Sequence, residues 1–161
     1  GKVWEVVFTR VHVRAKPSFD ARILRDQLRG DILVGTRQGV WVQLTREPGF
    51  VAVSKFHNVF LQEQTVTYKK VLEGRCADYG MFPVDSLGMC ETAAFALGYF
   101  DPLVLLHYHS ARPEGCYLCE GQVLLAKNKT NKGNGADGKR RPICINKALR
   151  GQSTPRHSPW Q

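Results

Sequence analysis

The stretch Arg112-Pro113-Glu114-Gly115-Cys116-Tyr117 decides how this chain reads, together with the cysteines on either side of it. Pro113 to Gly115 is a turn signal that delivers Cys116 to a short run, Cys116 to Leu125, with strand character. Cys76, Cys90 and Cys144 lie outward from it, in a segment otherwise too loop-rich to hold itself together. Cysteines spread in this way act most simply as staples. The expected fold is mainly β with one main helix, an α+β chain. A small β-barrel spans residues 1–62, a disulfide-stapled module spans 63–149, and an extended basic tail spans 150–161.

A length of 161 residues admits one domain or two small ones. A module of roughly 60 residues buries only about 60% of the surface its unfolded chain exposes, so two such modules would each gain from staples. No run approaches the ~18 apolar residues of a membrane span. The most apolar stretch, Ala93 to Leu106, is broken by Asp101-Pro102. The chain starts at Gly1 and shows no signal or transit segment, which reads as a processed form or a fragment. The net charge of +9 is uneven: nine of the 23 Lys and Arg fall in residues 127–161, against Asp137 alone. The rest is close to neutral. That argues against a nucleic-acid-coated protein and for one basic docking segment.

In the first module, Val3 to Phe8 and Val11 to Arg14 alternate as strands do, and Lys16-Pro17-Ser18 ends the second. After Ile23, Leu24 and Leu28 come a turn at Arg29-Gly30-Asp31 and a strand from Ile32 to Gly35. Gln38-Gly39 then turns into Val40 to Leu44, and Glu47-Pro48-Gly49 into Phe50 to Val53. Short strands at regular spacing predict a small, strongly bent barrel. In this order, Val13-Arg14-Ala15-Lys16-Pro17-Ser18, Leu28-Arg29-Gly30-Asp31, Gly39-Val40-Trp41-Val42-Gln43-Leu44 and Gly49-Phe50-Val51 resemble the bacterial-type SH3 domain. The resemblance covers about residues 5–61 and implies a peptide- or surface-binding module. It departs at Gly39-Val40-Trp41, where the family usually has Gly followed directly by Trp. Trp4 and Trp41, with Phe50 behind them, are the candidate groove aromatics, since such platforms take extended peptides at low entropic cost. The competing reading, favoured for Trp41 and Phe50, is that rings at alternating strand positions pack the core.

Gln62-Glu63-Gln64 reads as a short polar joint between the modules. Beyond it, Thr65 to Leu72 reads as a strand. Asp85-Ser86-Leu87 caps a helix that runs through Cys90, Ala93, Ala94 and Leu97 to Gly98. Cys116 to Ala126 and Pro142 to Ile145 read as paired strands, with the basic loop from Lys127 to Arg141 crossing between them. Gly74-x-Cys76, Cys90-Glu91-x-Ala93-Ala94, Leu97-Gly98, Arg112-Pro113-x-Gly115-Cys116-Tyr117 and Ile143-Cys144 resemble a cysteine module of algal and protist (dinoflagellate-type) proteins. That resemblance implies disulfide-linked structure in an exported or organelle-lumen setting, and no catalytic residues travel with it. Four cysteines permit three pairings and sequence does not choose. The pairing expected is Cys116–Cys144, joining the last two strands, and Cys76–Cys90, joining the first strand to the helix. Cys119 is left over.

Two sharper chemistries compete with staples. His107-x-His109 with Cys116-x-x-Cys119 is the ligand inventory of tetrahedral zinc, although it would take Cys116 from the disulfides. Cys90, near the first turn of a helix with His107 or His109 as base, is placed as a thiol nucleophile would be. The residues that follow, Glu91-Thr92-Ala93-Ala94, lack the Ser-Gly of the SH3-appended peptidases. Gly133, Gly135 and Gly138 match a dinucleotide pattern outside any strand–helix context, which makes the match chance. Asn128-Lys129-Thr130 has the form of an N-glycosylation acceptor.

The tail is basic and rich in Ser, Pro and Gly, with Trp160 as an aromatic plug and Lys147, Arg150 and Arg156 as electrostatic guides. The function expected is therefore a non-enzymatic accessory subunit, without cofactor, metal or nucleic acid, that docks on other protein subunits. The algal flavour of the second module points to a photosynthetic membrane complex in the chloroplast. A disulfide-bonded protein there belongs on the lumenal side of the thylakoid. The alternative is a secreted or surface module that binds peptides or glycans.

Overall fold

The computed structural model of the protein describes residues 1–100 and 102–148. As the sequence predicts, the chain is mainly β with a single main helix among the described residues. It divides into two compact units, Gly1–Thr65 and Val66–Ala148.

The first unit contains β1 (Lys2–Val6), β2 (Arg10–Arg14), β3 (Ile23–Leu28), β4 (Ile32–Gln38), β5 (Trp41–Leu44), β6 (Phe50–Ala52) and β9 (Leu61–Gln64) in one sheet, ordered β3-β2-β6-β5-β4-β1-β9. A separate hairpin is formed by β7 (Ser54–Lys55) and β8 (Asn58–Val59). Alternation sends Trp4 and Val6, Val11 and Val13, Val42 and Leu44, and Val51 and Val53 into one core with Leu33 and Leu61. The turn at Arg29-Gly30 is closed by the buried Asp31, whose carboxylate accepts the Leu28 N–H at 2.9 Å. The polar joint expected at residues 62–64 is instead strand. β9 runs antiparallel to β1, with Val3 opposite Gln64, because backbone pairing is indifferent to polar side chains that face outward.

The second unit contains β10 (Tyr68–Lys70), β11 (Phe82–Pro83), α1 (Leu87–Ala96), β12 (Val104–His107), β13 (Gly115–Cys119), β14 (Gln122–Ala126) and β15 (Arg140–Ile145). The sheet order is β10-β15-β13-β14-β12, with β11 also paired to β15. Ser86 caps α1, its hydroxyl accepting the Met89 N–H at 3.3 Å, and Met89, Cys90, Ala93 and Ala94 form the buried stripe. The run from Cys116 to Ala126 is not one strand. It folds back at Glu120-Gly121, both left-handed at φ 49° and 82°, the requirement of a tight hairpin turn. The strand expected from Thr65 to Leu72 shortens to Tyr68–Lys70. β12 follows the Asp101-Pro102 break and lies parallel to β14, with Leu105 opposite Leu124.

Candidate functional site

Trp4 is not a groove residue. It is 2% exposed within the core, and its indole N–H donates to the Gly35 carbonyl at 3.2 Å. Trp41 and Phe50 lie elsewhere, for a reason of register. Val42 pairs with Val51 on the core face, so Trp41 opposite Ala52 and Gln43 opposite Phe50 fall on the other face. There Phe19 packs at a tilt on Trp41 with ring centroids 4.8 Å apart, and Trp41 is buried at 8% exposed, as the packing reading expected, though outside the cluster built on Trp4 and Val42. Lys55 Nζ stands 4.6 Å from the Phe19 centroid and the Arg14 guanidinium 5.9 Å from it. Phe56, at the tip of the β7–β8 hairpin, is 89% exposed and holds φ 55°, a left-handed conformation uncommon for a bulky residue. The outer face of this sheet is thus an aromatic shelf with cations above it, and Phe56 stands out beside Lys55. Neither Phe19 nor Phe56 belonged to a sequence pattern. Phe19 after the Pro17-Ser18 turn was the only available signal.

In the second unit the four stapling cysteines are all paired, in a different combination from the one expected. The bridges are Cys76–Cys144 and Cys90–Cys116. The physical reason is the pleat. Tyr117 pairs with Pro142, so Cys116 and Cys144 point to opposite faces of the β13–β15 pair. Cys116 faces α1 and meets Cys90. Cys144 turns to the other face, where it packs with Cys76, Val71 and Met81.

The stretch from Arg112 to Tyr117 is built around that bridge. Three asparagines at every third position clasp the loop before it. Asn128 Nδ2 donates to the Tyr108 carbonyl at 3.0 Å, Asn131 Nδ2 to that of His109 at 2.8 Å, and Asn134 Nδ2 to that of Arg112 at 2.9 Å. Asn131, only 1% exposed, also accepts the Arg112 N–H at 3.2 Å. Glu114 Oε1 accepts the Gly133 N–H at 2.8 Å. The basic loop is therefore pinned, with Lys129 and Lys132 exposed on it. Lys139 pairs with Glu120 at 2.7 Å and Arg140 with Asp137 at 2.9 Å.

His107 and His109 do come together, with ring centroids 5.1 Å apart, beside Tyr117. The His109 N–H donates to His107 Nδ1 at 3.2 Å, which places the ring proton on Nε2 and makes it the donor to Tyr117 Oη at 2.7 Å. Partial burial, with His109, Arg112 and Arg140 close by, holds the His107 imidazolium below its ordinary range. Burial pushes the Tyr117 phenol up, against the pull of Arg112 and Arg140. The zinc set is broken, because Cys116 is spent in a disulfide and Cys119 remains a lone, half-exposed thiol. No group of three or more His, Cys, Asp or Glu among the described residues is arranged to hold a metal ion. Cys90 is fully buried and oxidised, so it offers no thiolate.

Lys147 is exposed, while Arg150, Arg156 and Trp160 lie outside the described residues. No helix among the described residues is long and apolar enough to cross a membrane. Comparison of the chain with protein-family models, curated proteins and solved structures gives no match.

Proposed function

We propose that this chain is a non-enzymatic accessory subunit that docks on a larger protein assembly through the outer face of its first unit. The observation that carries this reading is the aromatic shelf: Phe19 on Trp41, Lys55 and Arg14 over Phe19, and Phe56 held out at 89% exposure. Exposed phenylalanines are enriched at protein interfaces, and a phenylalanine kept in a strained turn points to a role outside the fold. The SH3 resemblance supports the same face as the docking surface, with the pinned cations and the basic tail as further guides. The algal resemblance of the second unit supports a photosystem–antenna complex as the assembly. The two disulfides favour the lumenal side of the thylakoid.

The test is size fractionation of a gently detergent-solubilised extract of the native source, tracking this chain. Comigration with a large pigmented membrane complex, lost on Phe19→Ala plus Phe56→Ser, is the expected result. Migration near its own mass would overturn the reading and leave a secreted or surface binder of peptides or glycans in its place.

A further inference from the structure

The first unit carries more cations than its own carboxylates can pair. Residues 1–65 hold ten Lys and Arg against six Asp and Glu. Asp26 is taken by Arg10 and His12, Glu47 by Arg25, and the buried Asp31 by the Leu28 N–H. Glu5 and Glu63 lie on β1 and β9, at the far end of the strand order from β2. Asp20 is exposed, next in sequence to Phe19. Among the described residues no carboxylate, Asp20 included, forms an ion pair with Arg14 or Lys55.

We infer that the partner presents an acidic segment to the aromatic shelf, with an Asp or Glu side chain meeting Lys55 and Arg14 above Phe19. This rests on the docking reading proposed above and names the chemistry of the partner. Lys55 Nζ stands 4.6 Å from the Phe19 centroid and 5.7 Å from that of Phe56, and the Arg14 guanidinium stands 5.9 Å from the Phe19 centroid. Ring faces hold cations in place without neutralising them. Arg14 is fixed further by its Nη1, which donates to the Ala21 carbonyl at 3.0 Å. Two like charges gathered at one ring repel each other, and a carboxylate arriving between them attracts both. Phe56, 89% exposed, offers apolar cover to the residues flanking that carboxylate. A basic or neutral segment would leave both cations uncompensated, so the charge selects the occupant.

Zero-length carbodiimide cross-linking of the native complex tests this, because it joins a lysine amine only to a carboxylate in contact with it. The expected product, mapped by mass spectrometry, links Lys55 to an Asp or Glu of another chain. In the size fractionation described above, Arg14→Gln plus Lys55→Gln should weaken association at least about tenfold. Lys55→Arg keeps the charge and should comigrate as the unaltered chain does. Lys2→Gln plus Arg29→Gln removes the same charge elsewhere and should also leave comigration unchanged. Circular dichroism checks that each variant is folded. An unaltered chain that migrates near its own mass would sink the docking reading itself. Three results would leave the docking face standing and overturn the acidic segment. The first is comigration in which Lys55 is joined to no carboxylate of another chain. The second is Arg14→Gln plus Lys55→Gln binding as well as the unaltered chain while Phe19→Ala plus Phe56→Ser does not. The third is an equal loss in Lys2→Gln plus Arg29→Gln, which would reduce the effect to net charge.

Discussion

Gly115 stands so close to Val84 that a Cβ would collide with the Val84 carbonyl oxygen, which accepts the Cys116 N–H at 2.7 Å. The residue also holds φ 76°, a left-handed conformation that glycine adopts without steric penalty. Gly115→Ala therefore meets strain and collision at one position, beside the Cys90–Cys116 bridge. It should cost about 2–4 kcal/mol. A urea midpoint within error of the unaltered chain would show that the close approach is not needed.

Asn131 supports the same stretch from the far side. Its amide satisfies the His109 carbonyl and the Arg112 N–H at once, from a site 1% exposed. Truncation leaves these groups without the bonds Asn131 supplied, so Asn131→Ala should lose about 2–3 kcal/mol. Asn134 clasps Arg112 from an exposed position, and Asn134→Ala should lose under about 1 kcal/mol, since water replaces its bond. Equal losses in chemical denaturation would remove the distinction between the two asparagines.

These two residues also mark what sequence could and could not reveal. The alternation of Trp4 with Val6 and of Val42 with Leu44 was legible because a half-buried strand writes its period directly into residue type. The helix was legible from Ser86 as cap and from the spacing of Met89, Ala93 and Ala94. Pairing of the cysteines was not, because it depends on which face of β13 and β15 Cys116 and Cys144 occupy. The parity of a register known only from the fold sets that. The asparagine clasp was hidden for a related reason: Asn128, Asn131 and Asn134 resemble any polar loop until their partners 20 to 22 residues away are known. On the first unit both tryptophans turned out buried, and only Trp4 left the groove reading for the central core cluster. Trp4 took the core, while Trp41 gained its cover from Phe19, a residue that no periodicity singles out.

The two bridges close loops of different length, with sequence separations of 68 for Cys76–Cys144 and 26 for Cys90–Cys116. Loop-closure entropy then assigns them about 4 and about 3.5 kcal/mol of unfolded-state destabilisation respectively. All four cysteines are buried, so alanine pairs lose comparable packing. The double variant Cys76→Ala/Cys144→Ala should accordingly be less stable than Cys90→Ala/Cys116→Ala, by up to about 1 kcal/mol. Guanidinium denaturation without reductant measures both. The reverse order would mean that the helix-to-sheet bridge stabilises the native packing itself.

His107 gives the second unit a pH dependence whose sign is fixed by its partial burial and by the charges beside it. Partial burial and the electrostatic influence of His109, Arg112 and Arg140 disfavour the imidazolium, so the folded state binds the proton less readily than the unfolded chain does. The stabilisation is present above the ordinary histidine value of 6.5 and is lost as pH falls through the lower folded value. Protonating Nδ1 would also remove the acceptor of the His109 N–H. Two measurements check this. The His107 ring should titrate below 6.5 by NMR and hold its proton on Nε2 at neutral pH. Unfolding free energy should fall more steeply between about pH 7 and about pH 5 in the unaltered chain than in His107→Gln, which keeps a donor toward Tyr117 and does not titrate. A His107 that titrates at or above 6.5, or equal slopes for the two proteins, would place the ring in contact with solvent rather than locked between His109 and Tyr117.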